Sequence, residues 1–239
     1  MNVYNNYCKP DFYPNTNCWA FGIDLSCASP TNSQSGTQRA GTAITPLHIV
    51  LAKHFGISNQ KKIYFSGADG ELIERSIKDS ANENSNDIRV SLLSTNLPPC
   101  ITPAKLLPVN YRDYIGNGFG LPILMLDQEE HAIVAELNSL PKSSNYSSGS
   151  FPKNVRRKLY YEEVISGDSG NPVFLVFENQ PIILYTFHTG GGGAGPFLTG
   201  NKDIIQSKLD MLSNDNGFTP LPIQFFDFSS YPKLIREIK

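Results

Sequence analysis

Apolar and polar positions alternate with a period of two through several short stretches of this chain, the pattern of half-buried strands. Trp19, Phe21, Ile23 and Leu25 alternate with Ala20, Gly22, Asp24 and Ser26, which predicts one strand. Ile88, Val90 and Leu92 alternate with Arg89 and Ser91 and predict another. The apolar runs 173–177 and 182–185 flank Glu178-Asn179-Gln180-Pro181 and predict a hairpin. Further strand-length runs fall at 122–126 and 132–137. A helical period occurs late, at about 202–213, where Ile204, Ile205, Leu209 and Leu212 share a face. Segments 29–38, 138–158 and 213–220 are dominated by Ser, Asn, Gly and charged residues and predict loops.

Seventeen prolines and 19 glycines punctuate these runs, so the pattern predicts an all-β barrel or sandwich rather than a βαβ protein. A chain of 239 residues, 40% hydrophobic, is long enough for one large all-β domain or two small lobes. Pro108, Gly116, Asn117 and Gly118 interrupt the pattern near 108–120, where such lobes would divide. A formal net charge of −2 gives no global basic field, so no nucleic-acid partner is expected. No apolar run approaches the roughly 18 residues of a membrane span, so no membrane partner is expected either. Residues 1–6 are polar and lack the basic-then-apolar build of a signal peptide. Cys8, Cys18, Cys27 and Cys100 have no zinc-site spacing, and no metal or organic cofactor is implied. Free thiols and one or two disulfides are both open, with Cys100 able to tie the N-terminal segment to the body.

The candidate chemistry lies in Gly167-Asp168-Ser169-Gly170-Asn171-Pro172, which places a serine on a tight turn before an apolar run. A serine hydroxyl needs a base to become a useful nucleophile. Leu51-Ala52-Lys53-His54-Phe55 supplies a histidine and Asp87-Ile88-Arg89-Val90 an acid. The order His54, Asp87, Ser169, 33 and then 82 positions apart, resembles that of the trypsin-like serine peptidases, in divergent and bacterial-type form. The three segments match that family's Ala-Ala-His-Cys, Asp-Ile-Ala-Leu and Gly-Asp-Ser-Gly-Gly-Pro elements.

The resemblance implies a single domain over 1–239 made of two six-stranded antiparallel β-barrels packed face to face. Lobe one would run from about 15 to 110 and lobe two from about 118 to 230. It implies a serine endopeptidase in which Ser169 attacks, His54 carries the proton and Asp87 holds the imidazole. The backbone N–H groups of Gly167 and Ser169 would form the oxyanion hole. His48 would be structural, and Asp168 would be buried against a cation, with Arg39, Arg156 and Arg157 all open. The partner would be a protein or peptide substrate, and the family favours a secreted or periplasmic setting. Substrate binding would fall to Glu163, His188, Thr189 and Gly190. Glu163, six residues before the serine, would favour cleavage after Arg or Lys. His188 resembles the pocket histidine of members that cleave after Glu or Asp. Phe55 and Ile165 replace family cysteines, and Asn171 replaces a glycine, a turn position that asparagine tolerates. A catalytically inactive homologue serving as a binding module is the alternative from another class.

Overall fold

The computed structural model describes residues 1–5, 12–34, 39–83, 85–143, 145–189 and 193–234. Thirteen strands among these form two sheets, so the chain is all-β, as its pattern predicts. The first sheet holds β1 (Thr31–Asn32), β2 (Thr42–Ala43), β3 (His48–Ala52), β4 (Lys62–Ser66), β5 (Leu72–Glu83) and β6 (Ile88–Leu93). Its order is β1-β4-β5-β6-β3-β2, antiparallel throughout. One stretch of chain touches both of its edges. Ala28 bridges Thr42 of β2, and three residues later Thr31 pairs with Tyr64 of β4.

The second sheet holds β7 (Lys105–Leu106), β8 (Pro122–Leu126), β9 (Ala132–Ser139), β10 (Tyr146–Ser150), β11 (Pro172–Phe177), β12 (Gln180–Thr186) and β13 (Ala194–Pro196). Its order is β13-β10-β9-β8-β11-β12-β7. This differs from six antiparallel strands, because the two-residue β7 adds a parallel edge to β12. Beyond β12 the chain turns back on the far edge: the His188 N–H donates to Ala194 O at 2.8 Å, and Thr189 bridges Ala194.

The strand at 88–93 falls where the alternation places it, and those at 122–126 and 132–139 fall on the apolar runs. The hairpin is tighter than the four-residue turn expected, since only Glu178 and Asn179 lie outside the strands, both with positive φ (47° and 63°). That pair of left-handed residues is the two-residue loop matching the twist of paired strands. The segment Trp19–Leu25 is not a strand. Gly22 takes a φ of +97°, and turn hydrogen bonds run from Phe21 N to Cys18 O and from Ile23 N to Ala20 O. The expected loop 138–158 instead contains β10 and a one-turn helix, α1 and α2 being Arg112–Ile115 and Val155–Lys158. The late helix α3 spans Lys202–Asp215, so the α-helices among the described residues are three rather than one, two of them single turns. Ile205, Leu209 and Leu212 are buried on α3, whereas Ile204 is partly exposed. Ile204 sits roughly 100° around the helix from Ile205, at the margin of the buried stripe.

Two apolar clusters fill the molecule. The first gathers Ile49, Leu51, Ile63, Phe65, Ile77 and Leu92 from the first sheet, and takes in Ile205, Leu209 and Leu212 of α3. The second gathers Met125, Ile133, Val173, Leu184, Tyr185 and Phe197 around the second sheet. The C-terminal helix therefore returns to the first core. Cys18, Cys27 and Cys100 are free thiols, and Cys8 lies outside the described residues.

Candidate active site

Three segments from different parts of the fold bring the predicted residues together. β3 is buried along its whole length, and the chain leaves it in a single helical turn, Lys53–Phe55, which lifts His54 out of the core. Asp87 sits at the entry to β6, the neighbour of β3, with a left-handed φ of 54° that aspartate tolerates better than most residues. Its carbonyl accepts from Lys53 N at 2.9 Å, which fixes the two strand ends against each other. Ser169 lies in the turn before β11. Gly167 in that turn has a φ of +112°, a backbone conformation that side-chain-bearing residues rarely adopt and that favours glycine. The Asn171 side chain closes the turn by donating from Nδ2 to Asp168 O at 3.1 Å. Asn171 keeps an ordinary φ, so this hydrogen bond, and not tolerance of a left-handed backbone, is its use here.

His54 Nε2 lies 2.9 Å from Ser169 Oγ, and His54 Nδ1 lies 2.5 Å from Asp87 Oδ2. The other Asp87 oxygen accepts from His54 N at 3.0 Å. Burial raises the Asp87 pKa, but the donors on His188 and His54 outweigh it and hold the carboxyl below its usual range. An ionised carboxylate only accepts hydrogen bonds, so His54 carries its proton on Nδ1 and turns a lone pair on Nε2 toward the serine hydroxyl. No family model and no curated protein matches the chain. What the cluster can do follows from its own chemistry. A hydroxyl facing an imidazole lone pair, with a carboxylate behind the ring, can give up its proton as it attacks an electrophilic carbon. The N–H groups of Gly167 and Ser169 have no acceptor among the described residues, as oxyanion donors require.

Asp168 is buried as expected, but its partner differs. Its Oδ1 accepts from Gln128 N at 3.0 Å and its Oδ2 from Ile165 N at 2.7 Å. Burial pushes its pKa up, those two N–H groups pull it back, and Asp127 and Glu129 add to the rise. The three cations considered are engaged elsewhere or exposed. Arg39 donates to Gly56 O and lies over Phe55, Arg157 pairs with Glu136 at 3.0 Å, and Arg156 is exposed on α2.

Of the predicted substrate-binding residues, His188 and Thr189 line a cavity of about 360 Å³ beside Ser169, together with Val164, Ile165, Ser166 and Phe187. Glu163 is exposed and is not among its lining residues. Gly190 lies outside the described residues. His188 also has a role that no sequence signal announces: its Nδ1 approaches Asp87 Oδ2 at 2.5 Å, the same oxygen that binds His54. Its ring stands edge-on to His54 at 5.1 Å and to Tyr146 at 5.3 Å. Among the described residues two groups have the donor atoms to hold a metal ion, His54-Asp87-His188 and Asp127-His131-Glu162.

His48 is fully buried and structural, bonded to Thr45 Oγ1 at 2.9 Å and to Ser213 Oγ of α3 at 3.2 Å. Burial lowers its pKa to about 4, against the opposite pull of Asp210. The unfolded chain takes up this proton near pH 6.5 and the folded chain only near pH 4. The contribution is complete above pH 6.5 and is lost as pH falls through that window, by about 2–3 kcal/mol at pH 4.5. Denaturant unfolding at pH 7.5 and 4.5 should show this drop in the wild type and a smaller one in His48→Gln. Equal drops in the two proteins would remove His48 as its source.

Proposed function

We propose that the chain is a serine endopeptidase of the trypsin-like kind, cleaving peptide bonds through an acyl-enzyme on Ser169. The observation that carries this reading is the unbroken line from Ser169 Oγ to His54 Nε2 and from His54 Nδ1 to Asp87 Oδ2. The pairing of both sheet edges described above supports a pair of closed six-stranded barrels, with β7 outside the second. Two free N–H donors beside a hydroxyl and a base also suit acyl transfer better than a non-catalytic module.

The contents of the cavity favour one side-chain preference over the other. A basic side chain entering it would find no carboxylate among the described residues of its walls, Glu163 not being one of them. An acidic side chain would enter beside His188, Ser166 and Thr189, residue types that can donate hydrogen bonds to a carboxylate. We therefore read cleavage after Glu or Asp ahead of cleavage after Arg or Lys. Digestion of a peptide library, read by mass spectrometry, decides between them. Cuts after Arg or Lys would reverse this ordering.

The reaction itself is tested with a fluorophosphonate probe, which labels only an activated serine. Labelling of the wild type, lost in Ser169→Ala, is the expected result. A wild type that stays unlabelled while correctly folded would leave the inactive binding-module reading in its place.

A further inference from the structure

Asp87 Oδ2 receives two imidazole nitrogens, and this is more than the peptidase reading requires. We propose that His54, Asp87 and His188 form an inhibitory site for a divalent ion of the zinc class. His54 Nδ1 and His188 Nδ1 each lie 2.5 Å from Asp87 Oδ2, and all three atoms lie within 4.8 Å of one another. Two imidazole nitrogens and one carboxylate oxygen are a zinc donor set, with water able to complete a tetrahedron. His54 is exposed and His188 lines the open cavity, so an ion can reach the group from solvent. Metal bonds of about 2.0–2.2 Å need the donor atoms somewhat farther apart than they stand now. Small rotations of two partly exposed rings provide that.

The consequence for the serine follows from tautomers. Each neutral imidazole releases its Nδ1 proton to make room for the metal bond and takes one up on Nε2, so no net proton is lost. His54 Nε2 then carries a hydrogen and has no lone pair to receive the Ser169 proton. Asp87 is occupied by the metal at the same time. One ion therefore removes both the base and its orienting group. The other candidate group offers a single nitrogen, from His131, with the carboxylates of Asp127 and Glu162, a harder donor set that suits zinc less well.

Metal binding is independent of the peptidase reading, whereas inhibition rests on it, and the experiment keeps the two apart. Zinc is titrated calorimetrically into metal-free Ser169→Ala, and cobalt is followed by its visible absorption. One ion per chain is expected, with a tetrahedral cobalt spectrum. Adding His188→Gln or His54→Gln should weaken binding at least 10-fold, the lower end of what loss of a supporting group costs. In the wild type, zinc should slow fluorophosphonate labelling, and a chelator should restore it. Absence of binding to Ser169→Ala overturns the proposal. So does binding that survives both substitutions but disappears in His131→Gln, which would place the ion at the other group. Binding without slower labelling overturns the inhibitory role. A metal-free wild type that never labels defeats the peptidase reading, while the titration still decides the site.

Discussion

Ser169→Ala is expected to abolish fluorophosphonate labelling and to lower peptide hydrolysis by on the order of 10⁶ in kcat, with little change in fold. Ser169 Oγ has His54 Nε2 as its hydrogen-bond partner, and Ser169 is only partly buried, so losing the oxygen leaves no buried donor stranded. The size of the loss reflects a group that acts as a unit. Without the hydroxyl the imidazole lone pair has nothing to activate, and Asp87 has nothing to support. His54→Ala should therefore cost nearly as much, and the double variant little more than either alone. Residual turnover of roughly 10³–10⁴ over water would come from the Gly167 and Ser169 N–H donors and from substrate binding. Steady-state kinetics on one peptide with all three proteins reads this pattern. Independent, additive losses would mean that the two side chains do not share a step, whatever their 2.9 Å separation.

The parts of this molecule that announce themselves in the sequence are those governed by local period or by turn chemistry. Ile88, Val90 and Leu92 lie on one face of β6 and are buried in the first core, while on the other face Arg89 is only partly buried. Glu178 and Asn179 mark the hairpin because two left-handed residues suit so short a loop. Trp19 to Leu25 shows the same alternation without a partner strand to pair with, and the Gly22 backbone takes the chain into turns. Strand β10 shows the reverse. Tyr146-Ser147-Ser148-Gly149-Ser150 has no apolar alternation, yet it pairs with β9 on one side and β13 on the other. Small side chains at Ser147 and Gly149 fit a crowded inner face, and a serine-rich strand then reads as a loop.

The site divides in the same way. His54, Asp87 and Ser169 could be named because each lies in a short recognisable segment, and the hydrogen bonds between them follow. The holding of Asp168 could not be named. Its donors are the backbone N–H groups of Gln128 and Ile165, and any residue but proline offers the same group. The contact of His188 with Asp87 spans 101 positions and depends on how the chain leaves β12, which no local pattern encodes.

Asp87→Asn should lower kcat by about 10⁴ while leaving KM for a peptide nearly unchanged. Asp87 does not line the cavity itself, and His188, which does, finds a partner on the new amide in either orientation, so substrate contact is kept. The loss comes from the two ends of the new amide. Asp87 accepts three N–H groups: His54 N on Oδ1, and the two imidazoles on Oδ2. An asparagine has one oxygen. If that oxygen keeps the backbone N–H of His54, the amide NH₂ faces both rings and demands that each present a lone pair on Nδ1. The proton of His54 then sits on Nε2, pointing at Ser169, and the base is blocked. If the amide turns over, the imidazoles keep their acceptor and the NH₂ group meets the His54 N–H, two donors face to face. Either arrangement also removes the negative charge that stabilises the imidazolium formed as the serine attacks. Ser169 keeps its neighbours in both, so the variant should label slowly with fluorophosphonate rather than not at all, which separates it from Ser169→Ala. His188→Gln provides the scale when both variants are read by fluorophosphonate labelling, which needs no acidic side chain in the cavity: it leaves both contacts between Asp87 and His54 in place and should slow labelling far less than Asp87→Asn. Equal losses in those two variants would mean that the acid serves His188 as much as His54, and that proton transfer from Ser169 does not depend on the carboxylate in the way described.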